Sequence, residues 1–223
     1  MLSGGCDALP THAELTDALQ AVVDAGDNGG FALHMWATVI NRDGAVCAVT
    51  FSGENRGDQW PGSRVISAQK ANTANAFSLP GLALSTANLH TAVQPGGSLY
   101  GLQHSNPVDT GVAYGGSSSF YGQANDPMTG HKIGGVNVFG GGLALYAEDG
   151  TLVGAIGVSG DTSCTDHNIA WRVRDAVSLD YVPGGVSPTG DDNIIYDSEN
   201  GFGHPECGLG EVEIAETLPD TLP

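Results

Sequence analysis

Hydrophobic residues first recur every three to four positions and then give way to a run rich in β-branched residues. The first pattern begins at residues 11–14, which have the spacing of a capping box, and stops at Gly26. The second is the run 31–51, which the pair Asp43-Gly44 divides as in a hairpin turn. The sequence therefore predicts a helix followed by two antiparallel strands.

A further helix, hairpin and helix follow in the same manner. Helical spacing runs from Ser63 to about Phe77 before Pro80, and a second hairpin surrounds Asp149-Gly150. A last helix is predicted to start at Thr165 or Asp166. Its inward positions are Ile169, Ala170, Val173, Ala176 and Val177. Two hairpins alternating with helices predict an α+β fold, an antiparallel sheet with helices packed on it.

Two segments do not fit this pattern. Residues from about 80 to 139 form a glycine-dense stretch with several tyrosines and histidines, and a loop of that length is typical of functional or disordered segments. Its aromatic residues favour function over disorder. Residues 184–223 form an acidic tail rich in glycine and proline that we expect to wrap the surface. The predicted organisation is one domain at 1–183, with an insertion at 80–139, followed by this tail.

The net charge of the chain excludes some classes of binding partner. The chain has 25 acidic residues against seven lysines and arginines, for a formal charge of −18. A surface of this kind repels phosphate backbones, so nucleic acid is not an expected partner. No stretch reaches 18 consecutive apolar residues, and the sequence predicts no membrane span. The first residues do not resemble a signal peptide, which indicates either a cytosolic protein or a leader removed before the start.

The four cysteines allow three disulfide pairings or four free thiols. They lack the CxxC spacing of a zinc site, and an even number mildly favours disulfides. The pairing we favour is Cys6 with Cys207, joining the termini, and Cys47 with Cys164. Disulfides would place the protein in the periplasm or outside the cell.

Two stretches carry a resemblance to a known family. SRVISAQKANTANAF, at 63–77, and GGGLALYAEDGTLVGAIGVSGDTSCTD, at 140–166, resemble the GlcG/HbpS-like haem-binding family in a KA-x-TA helix and a GAIGVSG corner. The resemblance covers roughly residues 11–180 and implies a profilin-like sandwich that assembles into homo-oligomers. Some relatives bind haem. The insertion and the tail depart from the family pattern, so the family does not supply their role.

A lysine and two aspartates are the charged candidates for a binding site. Lys70 lies on a largely apolar helical stripe with Ile66, Thr73 and Phe77, where an ammonium group requires a partner. Asp166 matches the acid that opens the last helix of the family and could be that partner. One interpretation is a buried ion pair that joins two helices. The other is an anion-binding lysine for a haem propionate or small carboxylate, with Asp161 at the same rim or merely capping a turn.

Glycines crowd the same corner. Gly154, Gly157 and Gly160 lie in or just after a predicted strand, and Gly140 to Gly142 precede the hairpin. Missing side chains permit either the approach of a ligand to the backbone or tight packing under a helix. We count Gly141 and Gly160 as candidate ligand contacts on the first interpretation, in a cleft roofed by the insertion.

Histidine is the residue most able to ligate haem iron near neutral pH. None of the seven lies in a metal-spaced motif. His104 and His131 in the insertion are the candidate iron ligands, with Tyr100 as an aromatic contact, while His34 is predicted to lie on a strand. For each histidine singly, an ordinary surface role is the competing interpretation.

Three hypotheses follow for function. The first is an extracytoplasmic, oligomeric protein that binds haem or a related tetrapyrrole beside the GAIGVSG corner. The second is an enzyme acting on a small organic acid, with Lys70 binding the acid and a histidine or Asp166 moving a proton. The third is a purely structural role in assembly. No nucleophile–base spacing is present to settle whether there is catalysis.

Overall fold

The computed structural model describes residues 5–222, in which six α-helices and four β-strands follow one another. In chain order they are α1 (His12–Ala25), β1 (Trp36–Asn41), β2 (Val46–Phe51), α2 (Ser63–Phe77), α3 (Leu102–Ser105), α4 (Thr110–Ala113), β3 (Gly142–Tyr146), β4 (Leu152–Ser159), α5 (Ser163–Ala176) and α6 (Glu211–Ala215). The predicted order of helix, hairpin, helix, hairpin and helix is confirmed. Within the described residues, no helix is long and apolar enough to cross a bilayer.

The four strands form one antiparallel sheet in the order β2-β1-β4-β3. Both hairpins turn where the sequence predicted, and Gly44 and Gly150 adopt positive φ there, which glycine tolerates without a steric penalty. Trp36 at the start of β1 pairs with Ser159 at the end of β4. The α+β architecture is therefore the predicted one.

Helices cover both faces of the sheet. One core contains Leu15 and Leu19 of α1, alternate residues of the strands such as Val39, and Ile169 of α5. The other lies under α2, where Ala68 and Ala71 pack against the opposite faces of the strands. Because successive strand residues point to opposite faces, the near-continuous burial of β1, β3 and β4 follows from this double cover.

The helix starts show how local hydrogen bonds set the boundaries. Thr11 caps α1, and the reciprocal bonds with Glu14 form the predicted capping box. The prediction for α5 was two or three residues late, since α5 begins at Ser163 with Thr162 as its cap. His34 also lies outside the strand predicted for it, because β1 begins at Trp36.

The predicted disulfide pairing is wrong. Cys6 is bonded to Cys47 and Cys164 to Cys207. The pairing follows from packing: α1, which comes just after Cys6, lies against β2, which carries Cys47. The second bond anchors the tail to the first turn of α5, so the tail is tied down by a different partner from the one predicted.

The insertion and the tail pack on the domain and on each other. The insertion has an apolar cluster of its own: Leu84, Leu89, Val93, Val136 and Val138. Ala87 of the insertion shares another cluster with Ile194 and Ala215 of the tail. Side-chain bonds from Asn88 to Asn193 and from Thr91 to Gly203 join the same two segments.

Candidate functional site

Lys70 and Asp166 form a buried ion pair that joins α2 to α5. The Lys70 ammonium donates to Asp166 Oδ2 at 2.6 Å and to the Val158 carbonyl at 3.1 Å. Both side chains are at most 3 % exposed. The first of the two interpretations, a structural pair between helices, therefore describes the observed contacts.

The other carboxylate oxygen of Asp166 accepts hydrogen bonds from the backbone. Its Oδ1 accepts the backbone N–H groups of Gly160 and Asp161 and so fixes the turn between β4 and α5. Burial raises the pKa of Asp166 to about 6, against the opposing effect of the Lys70 charge. Burial likewise lowers the pKa of Lys70. The charges are stabilised by each other and by backbone groups rather than by solvent.

Asp161 holds a loop. Its carboxylate accepts the backbone N–H groups of Phe31, Leu33 and Thr162, which ties the segment before β1 to the end of β4. Of the two roles considered for Asp161, the turn-forming one matches these bonds.

The glycines of the corner provide close packing. A Cβ on Gly157 would overlap the backbone oxygen of Ser67 in α2, and one on Gly141 would overlap the Val158 carbonyl. A Cβ on Gly160 would meet the backbone of His34 and Met35. The absent side chains thus let α2 and neighbouring backbone approach the sheet, and contact of Gly141 or Gly160 with a ligand stays a prediction.

The structure separates the other predicted site residues from this corner. His131 lies beside the start of β2, at the opposite end of the sheet, where its carbonyl accepts the Val46 N–H. His104 lies in α3 and is exposed, and Tyr100 is 64 % exposed. The three side chains do not join Lys70, Asp161 and Asp166 in one site, and their role in binding stays a prediction.

A histidine cluster that the sequence did not indicate lies between insertion and tail. The ring centroid of His90 is 4.8 Å from that of His204 and 6.1 Å from that of Phe139. Burial lowers the pKa of His204 to about 4 and lowers that of His90 as well. Both imidazoles are therefore neutral at pH 7. Tail residues bring the cluster together, so helical or strand spacing held no signal for it.

An aromatic cavity of about 350 Å³ opens beside the start of β1, within the size range typical of small-molecule sites. Its lining includes Trp36, Tyr114 and Tyr121, with the first turn of α2 along one side. Trp36 is paired across the sheet with Ser159 of β4, the strand that carries the GAIGVSG motif, although no residue of that motif is among the lining. Two exposed aromatic side chains extend the apolar surface: Tyr114 at 61 % and Trp60 at 53 %. We call this the Trp36 cavity.

Two arginines line the Trp36 cavity and differ in their partners. Arg64 is buried, its guanidinium stacks on the Tyr121 ring at 3.6 Å, and it makes two bonds to the Asp126 carboxylate. Arg56 is exposed and has no hydrogen bond or ion pair within residues 5–222. One positive charge at this rim is thus available to an anionic group, in a chain dominated by acids.

The sequence held weak signals for this cavity. Tyr114 and Tyr121 are among the tyrosines of the insertion, and Arg56 belongs to an Arg-Gly-Asp tripeptide short enough to arise by chance. Trp36 lay inside a strand pattern, where an aromatic residue indicates a core. The four residues come from three distant segments, and their assembly depends on the folded insertion.

The Trp36 cavity fits part of a tetrapyrrole. Aromatic walls match a flat apolar macrocycle, and an unpaired guanidinium matches a propionate carboxylate. The Tyr114 hydroxyl has no hydrogen bond within the described residues, and tyrosine is among the side chains that ligate haem iron. A macrocycle would also cover surface outside the cavity, where Trp60 is exposed.

Comparisons with known proteins agree with this architecture. The family model described as haem degrading protein HbpS-like matches residues 11–174. The chain belongs to the HbpS-like family. Residues before Thr11 and the whole of the tail lie outside the match, whereas the insertion lies inside its limits. No curated protein matches the chain.

Solved structures show the same HbpS-like fold. PduOC, crystallised as a haem complex, is 23 % identical over 74 % of this chain and 89 % of its own, with a TM-score of 0.50. The Klebsiella pneumoniae protein ORFY is 24 % identical over 76 % of this chain and 90 % of its own, with a TM-score of 0.51. At these identities the likeness establishes the fold.

Proposed function

We propose that this protein binds haem or a related tetrapyrrole, with the ligand seated on the Trp36 cavity. The observation that carries the proposal is the combination of aromatic walls with the unpaired Arg56 at the rim. Membership of the HbpS-like family and the haem complex of PduOC support this class of ligand.

Each lining residue has a distinct part. Tyr114 and Tyr121 offer ring faces to the macrocycle, and Arg56 binds a propionate through charge-assisted hydrogen bonds. Arg64 is neutralised by Asp126 and orients Tyr121 rather than binding the ligand. When bound, the haem would supply an iron centre, and the Tyr114 hydroxyl is an oxygen donor of this lining without a hydrogen bond among the described residues.

Titration with hemin tests the proposal. The expected result is a shift of the Soret band that saturates at one hemin per chain. Arg56→Gln and Tyr114→Ala should each weaken binding about tenfold or more, as expected for loss of a charged hydrogen bond or a stacked ring. Absence of a Soret shift in the unaltered protein would overturn the proposal.

The control is the double variant His104→Ala and His131→Ala. Both histidines are exposed and neither is among the lining of the Trp36 cavity, so hemin binding should be unchanged. If this variant loses binding while Arg56→Gln keeps it, the ligand is held by the two histidines of the insertion and the cavity assignment is wrong.

The alternative of an enzyme acting on a small organic acid gains no support from Lys70. Its ammonium is buried and engaged by Asp166 and the Val158 carbonyl, so an incoming carboxylate would have to displace an ion pair. We therefore favour binding over catalysis for this chain.

Location and assembly belong to the same proposal. The two disulfides of the structure are compatible with a periplasmic or secreted protein, because such bonds persist in oxidising compartments. Homo-oligomer formation rests on the resemblance to the GlcG/HbpS family. Size-exclusion chromatography with light scattering measures it directly, and a monomer would contradict it.

A further inference from the structure

A group of potential metal ligands surrounds the disulfide that anchors the tail. The Sγ atoms of Cys164 and Cys207 and a carboxylate oxygen of Glu211 all lie within 4.8 Å of one another. His204 adds a fourth donor, since its Nδ1 lies 4.0 Å from Cys164 Sγ. Two sulfurs, an imidazole and a carboxylate make up a donor set typical of zinc.

Glu211 is held in place for such a role. Its Oε1 accepts the backbone N–H groups of Cys207 and Gly208, and its Oε2 accepts that of Leu209. A carboxylate has about four lone-pair positions, so three bonds leave one position free, on Oε2. The residue is fully buried, and the three bonds fix its orientation as the outer-shell partners of metal ligands do.

His204 is buried and neutral. Its Nδ1 lies 2.7 Å from the Pro205 carbonyl, while its Nε2 has no hydrogen-bond partner in the described structure. Ligation through Nδ1 exchanges the bond to Pro205 for a metal bond and moves the proton to Nε2. A neutral imidazole requires no displacement of charge for this step.

We propose that reduction of the Cys164–Cys207 disulfide converts this cluster into a four-coordinate zinc site made of Cys164, Cys207, His204 and Glu211. A dithiol reductant supplies two electrons and two protons and becomes a disulfide itself, while the Cys164–Cys207 bond breaks to give two thiols. Zinc then displaces both thiol protons to solvent and binds the two thiolates.

Forming the zinc site requires the two sulfurs to separate and the imidazole and the carboxylate to move closer to them. Zinc–ligand bonds of about 2.0–2.3 Å in a tetrahedron place donor atoms roughly 3.3–3.8 Å apart. In the oxidised structure His204 Nδ1 lies 4.0 Å from Cys164 Sγ, and a carboxylate oxygen of Glu211 lies within 4.8 Å of both sulfurs. The Cα atoms of the two cysteines are 6.2 Å apart, so side-chain rotation suffices to separate the sulfurs. The tail would stay attached to α5 in both states, by a covalent bond or by a metal.

The second disulfide provides an internal control. Cys6 and Cys47 are joined to each other, and neither belongs to a group of three potential ligands within residues 5–222. Reduction of this bond yields two thiols without the carboxylate and imidazole that complete the other site. The comparison thus separates a built zinc site from ordinary thiol affinity.

The test is zinc binding by the full chain after reduction with a phosphine, which competes for zinc less than a dithiol. We expect one tightly bound zinc per reduced chain and none per oxidised chain, measured by metal analysis after gel filtration. Cobalt in place of zinc should give the thiolate charge-transfer and d–d bands of a tetrahedral site. The Cys6→Ser and Cys47→Ser variant should keep the metal, and Cys164→Ser with Cys207→Ser should lose it.

Two further variants distinguish loss of zinc binding from a failure to fold. Glu211→Gln and His204→Asn keep the cysteines, so their folding is checked in the oxidised form by circular dichroism. Each should weaken zinc binding at least tenfold in the reduced form. Equal zinc in oxidised and reduced protein, retention by the Cys164→Ser and Cys207→Ser variant, or unchanged affinity in both Glu211→Gln and His204→Asn would overturn the site. None of these outcomes bears on hemin binding at the Trp36 cavity.

Discussion

Helix α2 contributes residues to both the glycine corner and the Trp36 cavity, and the two regions differ in whether all their basic side chains are paired with acids. At the corner, Lys70 of α2 is buried and paired with Asp166, and close-packed backbone fills the space that glycines leave. At the cavity, Arg64 of α2 is also paired, whereas Arg56 at the rim has no partner in the described part of the chain. The difference teaches that the buried charges of α2 serve the fold through internal acidic partners, whereas the exposed Arg56 is available to a partner from outside the chain.

The largest effect on stability should come from removing one partner of the ion pair between Lys70 and Asp166. Lys70→Met removes one partner of a buried pair and leaves the Asp166 carboxylate without a counter-charge, which costs about 3–5 kcal/mol of unfolding free energy. Urea denaturation measures the loss. The matched control Lys132→Met removes an exposed ammonium and should change stability by less than about 0.5 kcal/mol. Equal stability of the two variants would refute a structural role for the pair.

A smaller loss is expected from filling a glycine of the corner. Gly157→Ala places a methyl group against the Ser67 backbone of α2, and overpacking of this kind typically costs about 1–3 kcal/mol. Gly201→Ala is the control, because its Cβ would meet nothing within 4 Å. If thermal unfolding of Gly157→Ala matched that of the control, the corner would have space that the structure does not show.

Acid should destabilise the folded protein through its buried histidines. The pKa values of His167 and His204 are lowered to about 4 from 6.5, mainly by burial. The unfolded chain therefore binds more protons, and this contribution to stability is lost as pH falls from about 6.5 towards 4. The raised pKa of Asp166, about 6, acts in the opposite sense, since its contribution is present below 3.8 and is lost as pH rises through 6.

Unfolding free energies measured at pH 7 and pH 4.5 separate these two effects. His204→Asn should reduce the loss of stability on acidification, whereas Asp166→Asn should increase it. His104→Asn, an exposed change, should leave the pH dependence as it is. An unchanged pH dependence in His204→Asn would contradict a neutral, buried imidazole at that position.

The smallest effect on stability should come from a substitution at the rim of the Trp36 cavity. Arg56→Gln removes a side chain that has no partner among residues 5–222, so the unfolding free energy should change by no more than about 0.5 kcal/mol. The same variant should weaken hemin binding. A loss of several kcal/mol would mean that Arg56 supports the fold, and the contrast between the two regions would fail.

The sequence predicted the features that depend on neighbours along the chain. The capping box at Thr11, both hairpin turns and the limits of α2 require local hydrogen bonds, glycine conformations and helical spacing. The ion pair of Lys70 was also within reach, because a lysine on an apolar stripe needs an acid. Family resemblance supplied the position of Asp166.

Features assembled from distant segments of the chain could not be predicted from the sequence. The disulfide partners depend on which surfaces meet after folding, so Cys47 and Cys207 were assigned to the wrong partners. The Trp36 cavity joins a strand, a loop and the insertion, and no periodicity connects those three. Single histidines such as His131 could be recognised as ligands by type but not placed in space.

The two disulfides close successive parts of the chain, 6–47 and 164–207, which neither overlap nor enclose one another. Each ring can therefore be completed soon after its own stretch has left the ribosome or crossed a membrane, whereas a bond between Cys6 and Cys207 would have to wait for nearly the whole polypeptide. By chain entropy, rings of 41 and 43 residues of sequence separation each contribute about 4 kcal/mol. Maturation of this protein should thus proceed in two independent oxidation events, early at one end and late at the other.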